Sequence, residues 1–141
     1  MIRYEIEKML IDGSIKTKDI PAYWNEHYEK YLGLKVPDDK RGCLQDVHWS
    51  HGSFGYFATY SLGSLYAAQL YATISRQNPS LEKDLALGNN TVLLQWLRQQ
   101  IHRHGRYYTS EELCKNASGE TLNSNYFMNY ANKKYNDIYT V

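Results

Sequence analysis

Gln45, Asp46, His48, Trp49, His51, Tyr56 and Tyr60 crowd into one short stretch, with Gly42, Gly52 and Gly55 among them. An amide, a carboxylate, imidazoles, an indole and phenols together offer donors, acceptors and groups that titrate near neutral pH. The glycines allow tight turns that bring such groups into one small volume. The stretch reads as a binding loop, and two other readings stand beside it. In one, Asp46 and His48 are a structural pair, the carboxylate orienting the imidazole and capping the turn that follows. In the other, His48 and His51 ligate a metal together with His102 and His104. Against the metal, the H-x-x-H spacing is loose and H-x-H in a helix sends its rings to different faces. No acidic base lies between the histidines as in H-E-x-x-H. The residues therefore predict no metal ligand in this chain. His27 reads as an exposed helix residue. His102 and His104, beside Arg103 and Arg106, read as favouring the negative end of their helix.

The elements that must position this loop are helices. Ile2, Ile6, Met9 and Leu10 recur at helical spacing over 2–12, and Gly13 can close that helix. Asp19 is the expected cap of a second, with Pro21 in its first turn, Trp24, Tyr28 and Leu32 on one face, and Gly33 at its end. From Leu34 to Phe57 the periodicity dissolves. A long helix follows from Ala58 to about Gln77, with Leu62, Leu65, Tyr66, Leu70 and Ile74 as its apolar face and Gly63, Ser64, Ala67 and Ala68 as small residues that let another helix approach. Ser80 is the expected cap of a short helix that Gly88 ends. Residues 91–104 read as one helix with Gly105 as its cap, Thr109 and Glu112 as a capping box, and about Ser124 to Tyr135 as the last helix. No strand alternation stands out. The expected class is all-α, with residues 1–141 as a single helical unit.

Composition narrows the partners. The net charge of +1 provides no basic field for nucleic acid. No apolar run is long enough to span a membrane. Two cysteines without paired spacing suit a reducing cytoplasm. The count of 14 Tyr raises the expectation of a large contact surface, because a tyrosine combines an apolar ring with one polar handle. The opening Met1–Glu5 reads as helix from its first residue and has no leader pattern, as though it continued a longer chain.

Gly42-Cys43-Leu44-Gln45-Asp46-Val47-His48-Trp49 resembles the G-x-x-Q-D-x-H-W motif of carboxypeptidase Taq family metallopeptidases at every fixed position. His51-Gly52-Ser53-Phe54-Gly55-Tyr56-Phe57 with Thr59-Tyr60, then Leu62-Gly63 and Leu65 to Gln69, continue the likeness. So do Ile2 to Glu7, Asp19-Ile20-Pro21 with Trp24-Asn25, Tyr31-Leu32-Gly33, and Trp96-Leu97-Arg98 with Ile101 to Gly105. It runs along nearly the whole chain. Ala58 stands where the family more often has Pro.

The resemblance implies the helical C-terminal portion of a larger, mainly helical, zincin-type (neurolysin-like) metallopeptidase that removes C-terminal residues from peptides. In such enzymes zinc is held by two His of H-E-x-x-H and a downstream Glu, and the motif Glu serves as base. Metal of this kind polarises the scissile carbonyl and lowers the pKa of a bound water. Neither H-E-x-x-H nor I-R-x-x-A-D occurs in this sequence, since Ile2-Arg3 continues as Tyr4-Glu5-Ile6-Glu7. The implied roles are a substrate-cleft wall with Gln45, Asp46, His48, Trp49 and His51 for substrate binding, and Tyr56 or Tyr60 as oxyanion donor. Zinc is expected in the full-length enzyme and none in this chain, which alone is expected to be inactive. The implied partners are a peptide with a free C-terminus, a second copy in a cytoplasmic homodimer, and a missing N-terminal portion. Two alternatives are a subunit of a split enzyme and a helical module that binds peptide C-termini without hydrolysis.

Overall fold

A computed structural model describes residues 1–139, and among them every regular element is helical. The α-helices are α1 (Ile2–Asp12), α2 (Ile20–Leu32), α3 (Val47–Ser50), α4 (Ala58–Gln77), α5 (Leu81–Ala86), α6 (Thr91–Gln100), α7 (Ser110–Ser118) and α8 (Asn125–Tyr139). No helix among the described residues is long and apolar enough to cross a membrane. The chain divides into two compact units, one over Met1–Ser61 and the other from Leu62 onward.

The first unit closes on an aromatic core. Ile6 of α1, Trp24 of α2 and Cys43 are its buried apolar centre, with Ile2, Leu10, Ile20 and Tyr28 packed around them. Burying an indole and branched aliphatics removes apolar area worth roughly 25 cal/mol per Å². The Trp24 ring stacks on Tyr28 at 4.9 Å and meets Trp49 edge-on at 5.9 Å. Leu32, expected on the same face, is 57% exposed because the helix ends at Gly33 before the core extends that far. His27, expected to be exposed, is half-buried, its ring stacked 3.8 Å from that of Tyr23. Asp19 does not cap α2 either. Its carboxylate accepts the Lys16 backbone N–H at 3.0 Å and so closes the preceding 3₁₀ turn (Thr17–Asp19), while Pro21 starts α2 without needing a donor partner.

The second unit is built on Ile74, Leu81, Trp96 and Ala117, with Leu70, Val92, Leu93 and Leu97 against them. Leu65 and Tyr66 near the start of α4 are only half covered, and Leu62 is exposed, so the buried face begins at Gln69 rather than at Leu62. Gln69 is wholly buried and satisfies the bend after α7: its Nε2 donates to Ser118 Oγ at 2.9 Å and to Thr121 O at 3.1 Å, and its Oε1 accepts from Asn123 N at 2.8 Å. An unpaired amide there would lose its desolvation energy without return. Ser80 turns its hydroxyl to Asp84 at 3.0 Å instead of capping α5. The expected helix over 91–104 stops at Gln100. Ile101 leaves helical geometry (φ −122°, ψ −65°) and His102–His104 tighten into a 3₁₀ turn, which meets carbonyls left open at a helix end. The last helix continues past its expected end at Tyr135, to Tyr139.

The capping box forms as the sequence predicts. Thr109 Oγ1 accepts from Glu112 N at 3.2 Å and the Glu112 carboxylate accepts from Thr109 N at 2.9 Å. Those bonds to Thr109 hold the Glu112 carboxyl below its ordinary value of 4.5. Glu120, held by Tyr126 and Asn123, is lowered in the same way. A carboxyl whose folded pKa is depressed stabilises above its unfolded value and loses that contribution as pH falls through the folded one. Acidification below 4.5 is therefore expected to loosen the α7 N-terminus. The check is faster amide exchange at Thr109 and Glu112, and a smaller acid response in Glu112→Gln.

Candidate functional site

The candidate loop is held from below by one helix of its own unit. Arg3 and Glu7 lie one turn apart on α1, beside the apolar row of Ile2, Ile6 and Leu10. Glu7 is 4% exposed and spends both oxygens on the loop. Its Oε1 accepts from Trp49 Nε1 at 2.8 Å and its Oε2 from the Gly55 backbone N–H at 2.9 Å. Gly55 sits at φ +81°, a left-handed conformation that places its N–H toward Glu7 with no side-chain penalty. Arg3 reaches the other end. Its Nε donates to Asp46 Oδ2 at 2.5 Å, and its guanidinium lies 4.2 Å from the Phe57 ring centroid and 4.9 Å from that of Trp24. Asp46 is 3% exposed, so the charge needs this partner.

Asp46 also starts α3. Its Oδ1 accepts from His48 N at 2.8 Å and Trp49 N at 3.1 Å, the N-cap expected of a carboxylate there. The His48 ring keeps Nδ1 3.6 Å from the same oxygen, an ion-pair distance rather than a hydrogen bond. The structural pair weighed from sequence is thus present, chiefly through the backbone. Gly42, the first fixed residue of the motif, is demanded by packing. A Cβ there would stand 2.6 Å from Val36 Cγ1 and 3.1 Å from the Asp38 carbonyl oxygen.

Above this support the rings gather around His48. Tyr56 stacks on it at 5.5 Å, Phe57 and Tyr60 meet it edge-on at 5.3 and 5.9 Å, and His51 stands at 5.8 Å. His48 Nε2 is 3.3 Å from the Tyr60 hydroxyl. His51 Nδ1 is 2.9 Å from Ser53 Oγ. Tyr56 and Tyr60 are exposed, whereas the His48 ring is mostly covered. The cluster thus presents the His51 imidazole and two phenols at the surface, around a mostly covered His48. Asp46 and Trp49, also singled out from sequence, spend their polar atoms inside the unit. Gln45 is exposed and donates its amide to the Lys40 carbonyl.

Sequence reasoning missed Arg3 and Glu7. The available signal was two opposite charges one turn apart, flanking the apolar row of α1. Among the described residues no group of three or more His, Cys, Asp or Glu stands close enough together to hold a metal ion. The donor set of the described residues does not fit a metal by itself.

The profile of the carboxypeptidase Taq (M32) metallopeptidases matches residues 1–135. Thermostable carboxypeptidase 1 of Pyrococcus furiosus is 40% identical over 135 residues, which are 96% of this chain and 27% of that protein. Carboxypeptidase 1 of Bacillus subtilis is 40% identical over 139 residues, 99% of this chain and 28% of its own length. The crystal structure of the M32 carboxypeptidase from Deinococcus radiodurans superposes with a TM-score of 0.94 at 38% identity, covering 99% of this chain and 28% of that one. The chain spans little more than a quarter of the length of these relatives.

Replacing Glu7 by Ala is expected to cost about 2 kcal/mol or more, because two donors lose their acceptor. Urea unfolding followed by tryptophan fluorescence measures it. Gly42→Ala is expected to cost about 1–3 kcal/mol through overpacking against Val36 and Asp38.

Proposed function

Because this chain belongs to the carboxypeptidase Taq (M32) metallopeptidase family, we propose that it is the C-terminal part of a zinc metallocarboxypeptidase releasing C-terminal amino acids from peptides, and that residues 42–60 form one wall of its substrate cleft. The observation that carries this reading is the ring cluster on His48, with the Tyr60 hydroxyl 3.3 Å from its Nε2 and the Tyr56 ring stacked on it. The motif residues split into two tasks in this proposal. Asp46 and Trp49 hold the wall together, and His48, His51, Tyr56 and Tyr60 face substrate with Gln45 at the margin.

The zinc of the complete enzyme is held outside this chain, whose part is binding and orientation. His48 donates from a ring whose position Asp46 and the neighbouring aromatics fix. It suits the backbone or terminal carboxylate of a peptide. A tyrosine hydroxyl fixed against an imidazole suits the oxyanion that develops on the scissile carbonyl, since a preorganised donor needs no reorganisation when charge appears. Tyr60, directly against His48, is favoured over Tyr56 for that task. Both units belong to one catalytic domain in this reading, and the whole enzyme is a cytoplasmic homodimer.

The test replaces the matching segment of the Bacillus subtilis enzyme with this chain. The graft is expected to release residues from peptides with free, not amidated, C-termini, and EDTA is expected to stop it. Tyr60→Phe is expected to lower kcat by about 10²–10³ with little change in KM, the size seen when one oxyanion donor is lost. His48→Ala is expected to raise KM as well. The chain alone is expected to hydrolyse nothing. EDTA-sensitive release by the chain alone, or an unchanged kcat in both Tyr60→Phe and Tyr56→Phe, overturns the proposal.

A further inference from the structure

An open groove lies far along the sequence from the His48 cluster, within the second unit. It is a groove of about 840 Å³ between α4 and α8, edged by α5. Ala67 and Ala68 lie along α4, Tyr71, Phe127 and Tyr130 add aromatic surface, and Lys134 adds charge. Much of the apolar surface is uncovered: Tyr71, Tyr130 and Ile138 are exposed, with Ile138 at 56%. A Lys133–Asp137 pair at 3.8 Å crosses one turn of α8 at the same groove, and Glu82 lies on α5. Apolar lining with charges of both signs is the surface that an amphipathic helix occupies, packing its side chains into the concavity.

What fills the groove can be argued from length. Relatives that share this fold across 95–99% of the chain are covered by it for only 27–28% of their own length, so each has nearly three-quarters of its residues left to pack. Other apolar side chains of this unit, such as Leu87 and Tyr107, are exposed singly, whereas here they line a continuous concavity, the form an interface takes. A second copy seated by two-fold symmetry would bring the same groove-bearing face to itself, and two concave faces do not fill each other.

We propose that the α4–α8 groove is the docking surface for a helix from the remaining part of the family chain, an amphipathic segment with an apolar ridge and flanking charges. This rests on the reading of the chain as part of a larger metallocarboxypeptidase. It goes further by naming the surface through which the parts join, in a unit separate from the His48 cluster.

Ala67→Cys places a thiol in the groove, and the native thiols are buried and serve as internal controls for folding. Maleimide labelling is compared in the chain alone and in two grafts, with the Bacillus subtilis and Pyrococcus furiosus enzymes as hosts, so that a host which rejects the segment does not decide the outcome. The introduced thiol is expected to label readily in the chain and about tenfold or more slowly in the grafts, because burial makes a thiol inert. Equal labelling in chain and graft, with Cys43 and Cys114 still protected, overturns the proposal. So does an introduced thiol that is protected in the chain alone and becomes exposed on dilution, because a second copy is then the occupant. The readout does not use catalysis. Protected but inactive grafts leave the groove assignment standing and sink the peptidase reading instead.

Discussion

The first unit depends on a carboxylate placed where water hardly reaches. Glu7 is buried under residues 42–57 and accepts from an indole and from a backbone amide 48 positions away. Buried charge is tolerated only with its hydrogen bonds made. Both oxygens are used, so a shift of the loop would leave an unpaired carboxylate behind. Arg3 repeats the arrangement one helical turn earlier by reaching the buried Asp46. Helix α1 thus has an apolar row that joins the Trp24 core and, next to it, a polar row that fixes the loop. One helix stabilises the unit and aligns the His48 cluster together. A loop with little regular structure is held in place by committed polar groups rather than by a large core of its own.

Most helices and the motif were legible in the sequence, whereas α3, inside the stretch without helical periodicity, and the supports were not. Spacing of apolar residues gave α1, α2 and the full extent of α4, because amphipathic periodicity is a local property. Thr109 and Glu112 announced their capping box because reciprocal bonding needs only the two side chains and a turn. Asp19 and Ser80 failed as caps for a reason no pattern shows. Each carboxylate or hydroxyl had a nearer partner in three dimensions, the Lys16 amide for one and Asp84 for the other. The stop at Gln100 was hidden for a similar reason, since the apolar spacing runs on through Ile101 while the backbone does not.

The motif gave the family before geometry was known, and the structure supplies physical reasons for several of its letters. Gly42 is fixed by Val36 and the Asp38 carbonyl, Asp46 by its cap and by Arg3, Trp49 by Glu7. The polar letters of the motif thus divide between those that face outward and those that hold the loop. That division could not be read from residue type, because Asp and Trp serve either purpose. Gln69 makes the same point in the second unit, where an amide at the centre of an apolar helix face binds three backbone groups after α7.

The central claim is that the His48 cluster sits on a loop already fixed before any substrate arrives, through Glu7. Hydrogen exchange of the Trp49 indole N–H and the Gly55 amide tests it most directly. The account predicts that both exchange only with global unfolding of the first unit, and that Glu7→Gln releases them to local opening. Exchange at the pace of an unstructured loop in the unaltered chain, with α1 still protected, would contradict it.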